Sequence, residues 1–234
     1  MSGTDITFPE EWRNLRVALC HDWLIRMRGG ERVLELLCRA FPEAEIYTLF
    51  YRPDSVSSVF HRHKVHTSFL QRLPDIDRWY RYCLPLFPLA VRGLKPESVD
   101  LVVSTSHCAV KAVRAPGEAH HLCYCFTPMR YAWCFFDEYF GSDPLKAAVA
   151  RPVLASLRRW DRRTARRVDR FVAISRHIQE RIQTAYGRES DVVFPPVDTN
   201  RYTPIDADAA PSSRDFDLVV SALVPYKRVD LAVA

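Results

Sequence analysis

Short apolar runs, amphipathic stretches of helical period between them, and a terminating Pro195-Pro196 pair predict an α/β chain built on a doubly wound parallel sheet. The first strand is expected over Arg16 to Cys20, an apolar run of strand length. The paired glycines Gly29 and Gly30 then lead into a helix over Gly30 to Ala40. Ala44 to Phe50 reads as a second strand and Val65 to Phe69 as a short third. Trp, Tyr and Phe crowd the helical region Ile76 to Val91. Asp100 to Thr105 and His120 to Thr127 are the next strands, and Leu145 to Val168 is a long helix. Arg170 to Ile174 (strand), Arg176 to Ala185 (helix) and Asp191 to Phe194 (strand) complete the alternation. Apolar strands separated by helices pair in parallel, with helices covering both faces of the sheet. No short-period repeat is present.

The domain organisation follows from what comes after Pro196. Residues 1–196 form one Rossmann-like domain, and Val197 to Arg214, rich in Pro, Asp, Ala and Ser, is a linker. Residues 215–234 begin a second unit: Asp215 to Leu223 reads as a buried strand, Val224 to Arg228 as a turn and Val229 to Ala234 as the start of a helix. One βα unit cannot bury its own apolar faces. These residues are therefore expected either to belong to a second domain extending past Ala234 or to dock on the first.

The 234 residues are 48% hydrophobic and 26% charged, which excludes disordered and fibrous classes. Met1 to Arg13 is polar, and apolar runs such as Leu84 to Val91 are broken by Pro85 and Pro88, so neither a signal peptide nor a spanning helix is expected. Seven cysteines fall mostly inside apolar segments, where a reduced thiol is a small hydrophobe, and this points to a reducing, cytoplasmic compartment. The net charge of +5 is unevenly placed. Arg158, Arg159, Arg162, Arg163, Arg166, Arg167 and Arg170 recur at helical spacing, with Val153, Leu157, Trp160, Thr164 and Val168 on another side. Two readings stand: a solvated face whose arginine stems cover core edges, or attraction to anionic lipid head groups and lipid-linked phosphates. No nucleic-acid motif accompanies the arginines.

Ligands of such sheets sit beyond the carboxyl ends of the strands, and four loops there are unusual. His21-Asp22-Trp23 leads to Arg28-Gly29-Gly30-Glu31, where paired glycines before a helix let a ligand approach the backbone and the helix start favours negative charge. The alternative is a tight turn with Glu31 facing the helix dipole. The third glycine of a dinucleotide fingerprint is absent. Ser104-Thr105-Ser106-His107 ends a strand with small side chains that keep a crevice open, and His107 is placed either to meet a sugar hydroxyl or phosphate or to bond locally. Thr127-Pro128-Met129-Arg130 puts a guanidinium among aromatics, which suits a sugar face beside a charge. Tyr226-Lys227-Arg228 places two cations ahead of a helix, as a diphosphate site or an exposed basic turn.

Five stretches in order, from His21-Asp22-Trp23-Leu24 with Gly29-Gly30-Glu31, through Thr127 to Trp133, Val172 to Ile182 and Pro195 to Asp198, to Ser221 to Ala232, resemble glycosyltransferase family 4 in its mannosyltransferase-like branch of surface polysaccharide assembly. The resemblance implies a two-domain GT-B fold whose amino-terminal domain binds the acceptor and whose carboxyl-terminal domain binds a nucleotide sugar. It also implies transfer with retention and no metal or cofactor, the nucleotide sugar (GDP-mannose among those implied) being a substrate. It puts the Gly29-Gly30 loop by the donor phosphates and the acceptor; with Asp22, Glu31, His107, Thr127 and Arg130 of the strand-end loops, these residues make up the expected acceptor or substrate site. It sends Lys227 to the donor diphosphate, where a cation stabilises the leaving group, and the neighbouring Arg228 is expected there from its place before the helix.

The chain departs from the family pattern at Phe126, where many members carry a histidine near the reacting sugar, and at Ala222, where an arginine commonly accompanies the donor-site lysine. The family's glutamate pair falls past Ala234, so no catalytic residue is assigned. The leading expectation is a hexosyltransferase acting on a polysaccharide or lipid-linked acceptor at the cytoplasmic membrane face. The alternative is an inactive acceptor- or partner-binding module. His61, His63 and His66 lack carboxylate or cysteine support for a metal. Cys123 and Cys125 alternate along a strand as packing residues, and Ser175 beside His177 lacks a nucleophile elbow.

Overall fold

The computed structural model describes residues 9–133, 144–200, 202–203, 218–221 and 229–233. Strands β1 (Val17–His21), β2 (Glu45–Thr48), β3 (Val65–Thr67), β4 (Leu101–Ser106), β5 (His120–Cys125), β6 (Arg170–Ala173) and β7 (Ser190–Val192) form one sheet in the order β3-β2-β1-β4-β5-β6-β7. Every pairing is parallel. The period-2 alternation of a strand sends Val17 and Leu19 to one face and Ala18 and Cys20 to the other. The first pair packs with Leu34 and Cys38 of helix α1 (Gly29–Ala40). The second packs with Phe87 and Val91 of α3 (Phe87–Arg92) and Leu154 and Leu157 of α5 (Pro144–Ala165). Helix α6 (Arg176–Tyr186) covers β5 and β6 through Ile178 and Ile182. It begins at Ser175, whose hydroxyl accepts from the Ile178 amide, and ends at Gly187 in the left-handed region at φ 65°.

Two expectations need correction. The aromatic stretch Ile76 to Val91 is not one helix: α2 (Ile76–Trp79) gives way to a 3-10 run over Tyr80–Leu86 before α3. Pro85 lacks the amide an α-ladder needs, whereas Pro88 sits in the first turn of α3, where that amide is not missed. The expected buried strand Asp215 to Leu223 is represented among the described residues by Leu218 to Ser221, which carry no ladder. Leu218 is 75% and Val220 87% exposed. A strand needs a neighbour for its amides and carbonyls, and these residues do not join the seven-stranded sheet. Asp230–Val233 (α7) form one helical turn.

The arginine face of α5 is divided by what its side chains bind. Arg158 Nε donates to the Ala132 carbonyl, and Arg162 Nε donates to the Ala185 carbonyl at 2.9 Å with its guanidinium 5.3 Å from the Trp133 ring centroid. Arg170 pairs with Asp191 at 2.7 Å. Past the end of α5, Arg188 donates to the carbonyls of Ala165, Val168 and Asp169 at 3.0, 2.8 and 3.1 Å. The solvated-face reading therefore describes Arg158, Arg162 and Arg170, whose stems and heads tie α5 and β6 to their neighbours.

Beneath that face lies a buried charge pair. The Lys111 ammonium, on the 3-10 turn Val110–Ala112 after β4, donates to Asp161 Oδ1 at 2.6 Å and to its carbonyl at 3.1 Å. Asp161 Oδ2 accepts from Trp133 Nε1 and Tyr186 Oη, both at 2.8 Å. The ammonium also lies 4.8 Å from the Tyr186 ring centroid. Both charged residues are buried, so each is tolerated only because the other and the two neutral donors replace water. Lys111→Met strands the carboxylate and is expected to cost about 3–5 kcal/mol by urea unfolding. Adding Asp161→Asn, which still accepts from Trp133 and Tyr186, should recover much of that loss.

Candidate functional site

The strand order reverses direction of travel between β1 and β4, so a crevice opens outside their carboxyl ends. Register pairs His21 with Thr105 there. The next residue of each chain segment organises the crevice. Asp22 is buried and its carboxylate accepts from Ser106 Oγ at 3.2 Å and from four successive amides: His107 and Cys108 on Oδ2 at 2.6 and 2.8 Å, Ala109 and Val110 on Oδ1 at 2.6 and 2.7 Å. Burial by itself would raise the Asp22 carboxyl, but the His107 ring and this ring of amides together hold it below the usual carboxylate range. Asp22 was expected to bind substrate. Both its oxygens are engaged inside the protein, where they shape the turn that carries His107.

His107 presents its Nδ1 to Asp22 Oδ2 at 3.3 Å and stands edge-on to Trp23 with centroids 4.4 Å apart. Burial pushes this imidazole down to about 4 despite Asp22, with His21 and the Arg130 charge adding to the fall. At neutral pH the ring is therefore uncharged. Its Nδ1 proton faces the carboxylate, which leaves Nε2 as a hydrogen-bond acceptor. Arg130 opens the short helix α4 (Arg130–Trp133), within electrostatic reach of His107. Thr127 is buried, and its hydroxyl donates to the Pro128 carbonyl at 3.0 Å, so it holds the backbone of the loop leading to Arg130.

The opposite side of the crevice is the start of α1. Glu31 Oε2 accepts from the Arg28 amide at 2.9 Å, the acidic half of a capping arrangement, and Oε1 lies 3.7 Å from His21 Nε2. Burial would raise Glu31, but the neighbouring imidazoles and its own amide bring it below its ordinary value. His21 Nδ1 meets Thr105 Oγ1 at 2.7 Å, while that hydroxyl also reaches the Cys20 carbonyl at 3.3 Å. His21 Nε2 is buried and has no hydrogen-bond partner among the described residues.

The two glycines differ. A Cβ on Gly30 would lie 3.1 Å from Phe126 Cε2 and 3.4 Å from His21 Cε1, whereas one on Gly29 would meet nothing within 4 Å. Gly30 thus permits the close approach of α1 to β5, and Gly29 borders open space. Phe126 packs edge-on against Tyr124 at 5.6 Å and His21 at 6.5 Å.

The structure brings Asp22, Gly29, Gly30, Glu31, His107, Thr127 and Arg130 to one end of the sheet. Lys227 and Arg228 lie outside the described residues. Sequence reasoning did not assign roles to His21 or Thr105, whose pairing depends on strand register. It also missed Lys111 and Asp161, although Asp161 falls four residues after Leu157 on the apolar stripe and that was a usable signal. The other histidines do not converge: His61 bonds the Pro53 carbonyl, His63 the Ala44 carbonyl and His66 the Glu45 carboxylate. Cys123 and Cys125 are buried, with burial and their mutual contact pushing the Cys125 thiol up, as packing thiols behave.

Two predictions follow from this geometry. His107, and likewise the buried His121 held by Ser104 at 2.8 Å, titrate near 4 when folded against 6.5 in the unfolded chain. The unfolded chain binds protons first as pH falls, so stability is full above 6.5 and declines toward 4, by up to about 3 kcal/mol per ring. Urea midpoints across that window should show the slope, and His121→Gln should remove roughly half of it. Gly30→Ala should cost about 1 kcal/mol through displacement of Phe126, with Phe126→Leu restoring it, while Gly29→Ala leaves the unfolding midpoint unchanged.

No curated protein gives a significant sequence match. Among solved structures, HepE of Anabaena in complex with UDP aligns at 13% identity and TM-score 0.48, covering 83% of this chain and 48% of its own. HepE with UDP and glucose aligns at 15% and 0.46, with 83% and 48% covered. The apo form of the lipopolysaccharide outer core galactosyltransferase WaaB aligns at 15% and 0.41, with 78% and 46% covered. The chain spans about half the length of these structures. The sequence profile described as Glycosyltransferase Family 4 matches residues 27–201, more than half of the chain and every loop that lines the crevice after Asp22, and the chain belongs to that family.

Proposed function

We propose that this chain supplies the acceptor side of a hexosyltransferase that works with retention of anomeric configuration in surface polysaccharide assembly. Residues 1–196 hold the acceptor, residues 197–214 link, and residues 215–234 begin the nucleotide-sugar side. The observation that carries the reading is the open space beside Gly29, at the same end of the sheet as the uncharged His107 ring, within a chain of this family. An acceptor hydroxyl in that space donates to His107 Nε2, and the Arg130 charge lies close enough to attract acceptor phosphate. In the transfer, the bond from the sugar's anomeric carbon to the diphosphate oxygen breaks, one to the acceptor oxygen forms, and the hydroxyl proton passes to the departing diphosphate. Lys227 and Arg228 are the cations assigned to the departing diphosphate. Mannose from a GDP donor is the favoured sugar, and the acceptor is a polysaccharide or lipid-linked glycan at the cytoplasmic membrane face.

The test is a panel of nucleotide sugars offered with lipid-linked and glycan acceptors, both to this chain and to a longer form that adds a nucleotide-binding domain. Hexose transfer is expected from the longer form. Gly29→Val should cut it at least tenfold with an unchanged thermal midpoint, because the added side chain enters space the fold does not use. Acceptor binding without transfer by either form would assign the chain to a binding module instead. Transfer unaffected by Gly29→Val would remove the crevice from the reaction.

A further inference from the structure

The sheet face opposite α1 carries a second feature, well apart from the crevice. Between α3 and α5 runs a groove of about 940 Å³, lined on its basic side by Arg92, Lys95, Arg114, Arg163 and Arg167 with Glu97 the one carboxylate among the lining residues. It continues into a smaller hollow of about 530 Å³ that shares Pro88, Trp160 and Arg163 and adds Arg159. Among the described residues no carboxylate pairs with Arg114, Arg163 or Arg167. Burial and the nearby charges of Arg114 and Arg163 lower the Arg167 guanidinium, so the fold crowds like charges here without neutralising them. This separates the arginines of α5 and of the residues that follow it into two sets. Arg158, Arg162 and Arg170 bind protein groups, and Arg163 and Arg167 face the groove.

The rim beside this cationic groove is apolar. The interrupted helix over residues 79–92 shows Tyr82, Leu86 and Leu89 to solvent, 76%, 44% and 59% exposed, and Leu89 itself lines the groove. Pro85 and Pro88 line the adjoining hollow. A soluble polyanion would match the arginines but not the leucines. A core-facing partner surface would match the leucines but not a cluster of like charges. Head-group phosphates above acyl chains match both.

We infer that the groove between α3 and α5 is the site by which this chain docks on an anionic phospholipid surface, with Arg114, Arg163 and Arg167 on the phosphates and Leu86 and Leu89 in the interface. The inference deepens the membrane-face part of the proposed function and rests on it, by naming the surface and the lipid class.

The test uses the whole chain and vesicles without any sugar nucleotide, so it is independent of transfer. Co-sedimentation should show binding to equimolar phosphatidylglycerol and phosphatidylcholine, falling as salt is raised, and little binding to phosphatidylcholine alone. Each basic residue near such a surface contributes about 1 kcal/mol, so Arg114→Gln/Arg163→Gln/Arg167→Gln should lower the partition coefficient on the order of a hundredfold. Leu86→Ser/Leu89→Ser should lower it roughly tenfold while keeping the salt dependence. All five residues are exposed, so the thermal midpoint should stay unchanged in both variants. Equal binding to the neutral vesicles, or anionic binding that survives the triple substitution, overturns the inference. So does release of the protein by millimolar inorganic phosphate at constant ionic strength, which would assign the groove to a small anion. Failed transfer with intact vesicle binding would count against the hexosyltransferase reading and leave this surface standing.

Discussion

The buried carboxylate of Asp22 is the constraint from which the rest of the site follows. A lone ionised carboxylate in a protein interior is intolerable, and the remedy here is a turn that curls four consecutive amides, from His107 to Val110, around its two oxygens. That turn joins the end of β4 to the end of β1 at the point where strand order reverses. It also decides where the next residues go. His107, at the head of the turn, is held neutral against the same carboxylate and faces the crevice. Lys111, just past its end, is delivered into the core.

Lys111 extends the constraint outward. Its pairing with Asp161 fixes α5 against the turn, and the same carboxylate collects Trp133 from α4 and Tyr186 from α6. The loop that carries Arg130 is thus tied, through Trp133, to the element that carries the outer arginines. Crevice and basic face are two sides of one polar scaffold whose charges are satisfied inside. What the scaffold leaves open lies at the crevice and on the outer face: the space at Gly29, the buried His21 Nε2 atom, and the crowded guanidiniums between α3 and α5.

Much of the fold was legible because strand and helix periods are local properties. All seven strands lie within a residue or two of the runs that predicted them. Miscounts came where local chemistry competed, as at Pro85, or where a strand's state depends on a neighbour, as at Leu218 to Ser221. The candidate site was legible as a set of loops but not as roles. Asp22 was grouped with substrate ligands because its partners lie some 85 residues away in the chain, and nothing near it announces a ring of amides.

By itself the sequence determined the alternation of elements, the parallel sheet, the family, and which loops gather at the strand ends, because each depends on residue order and short-range periodicity. Only the tertiary structure decided which charged groups face inward. Whether a carboxylate meets water, an amide or an ammonium is a matter of long-range geometry. That geometry made Asp22 and Asp161 internal anchors, kept His107 neutral, and parted the arginines of α5 and of the residues that follow it into those that bind the protein and those that line the groove.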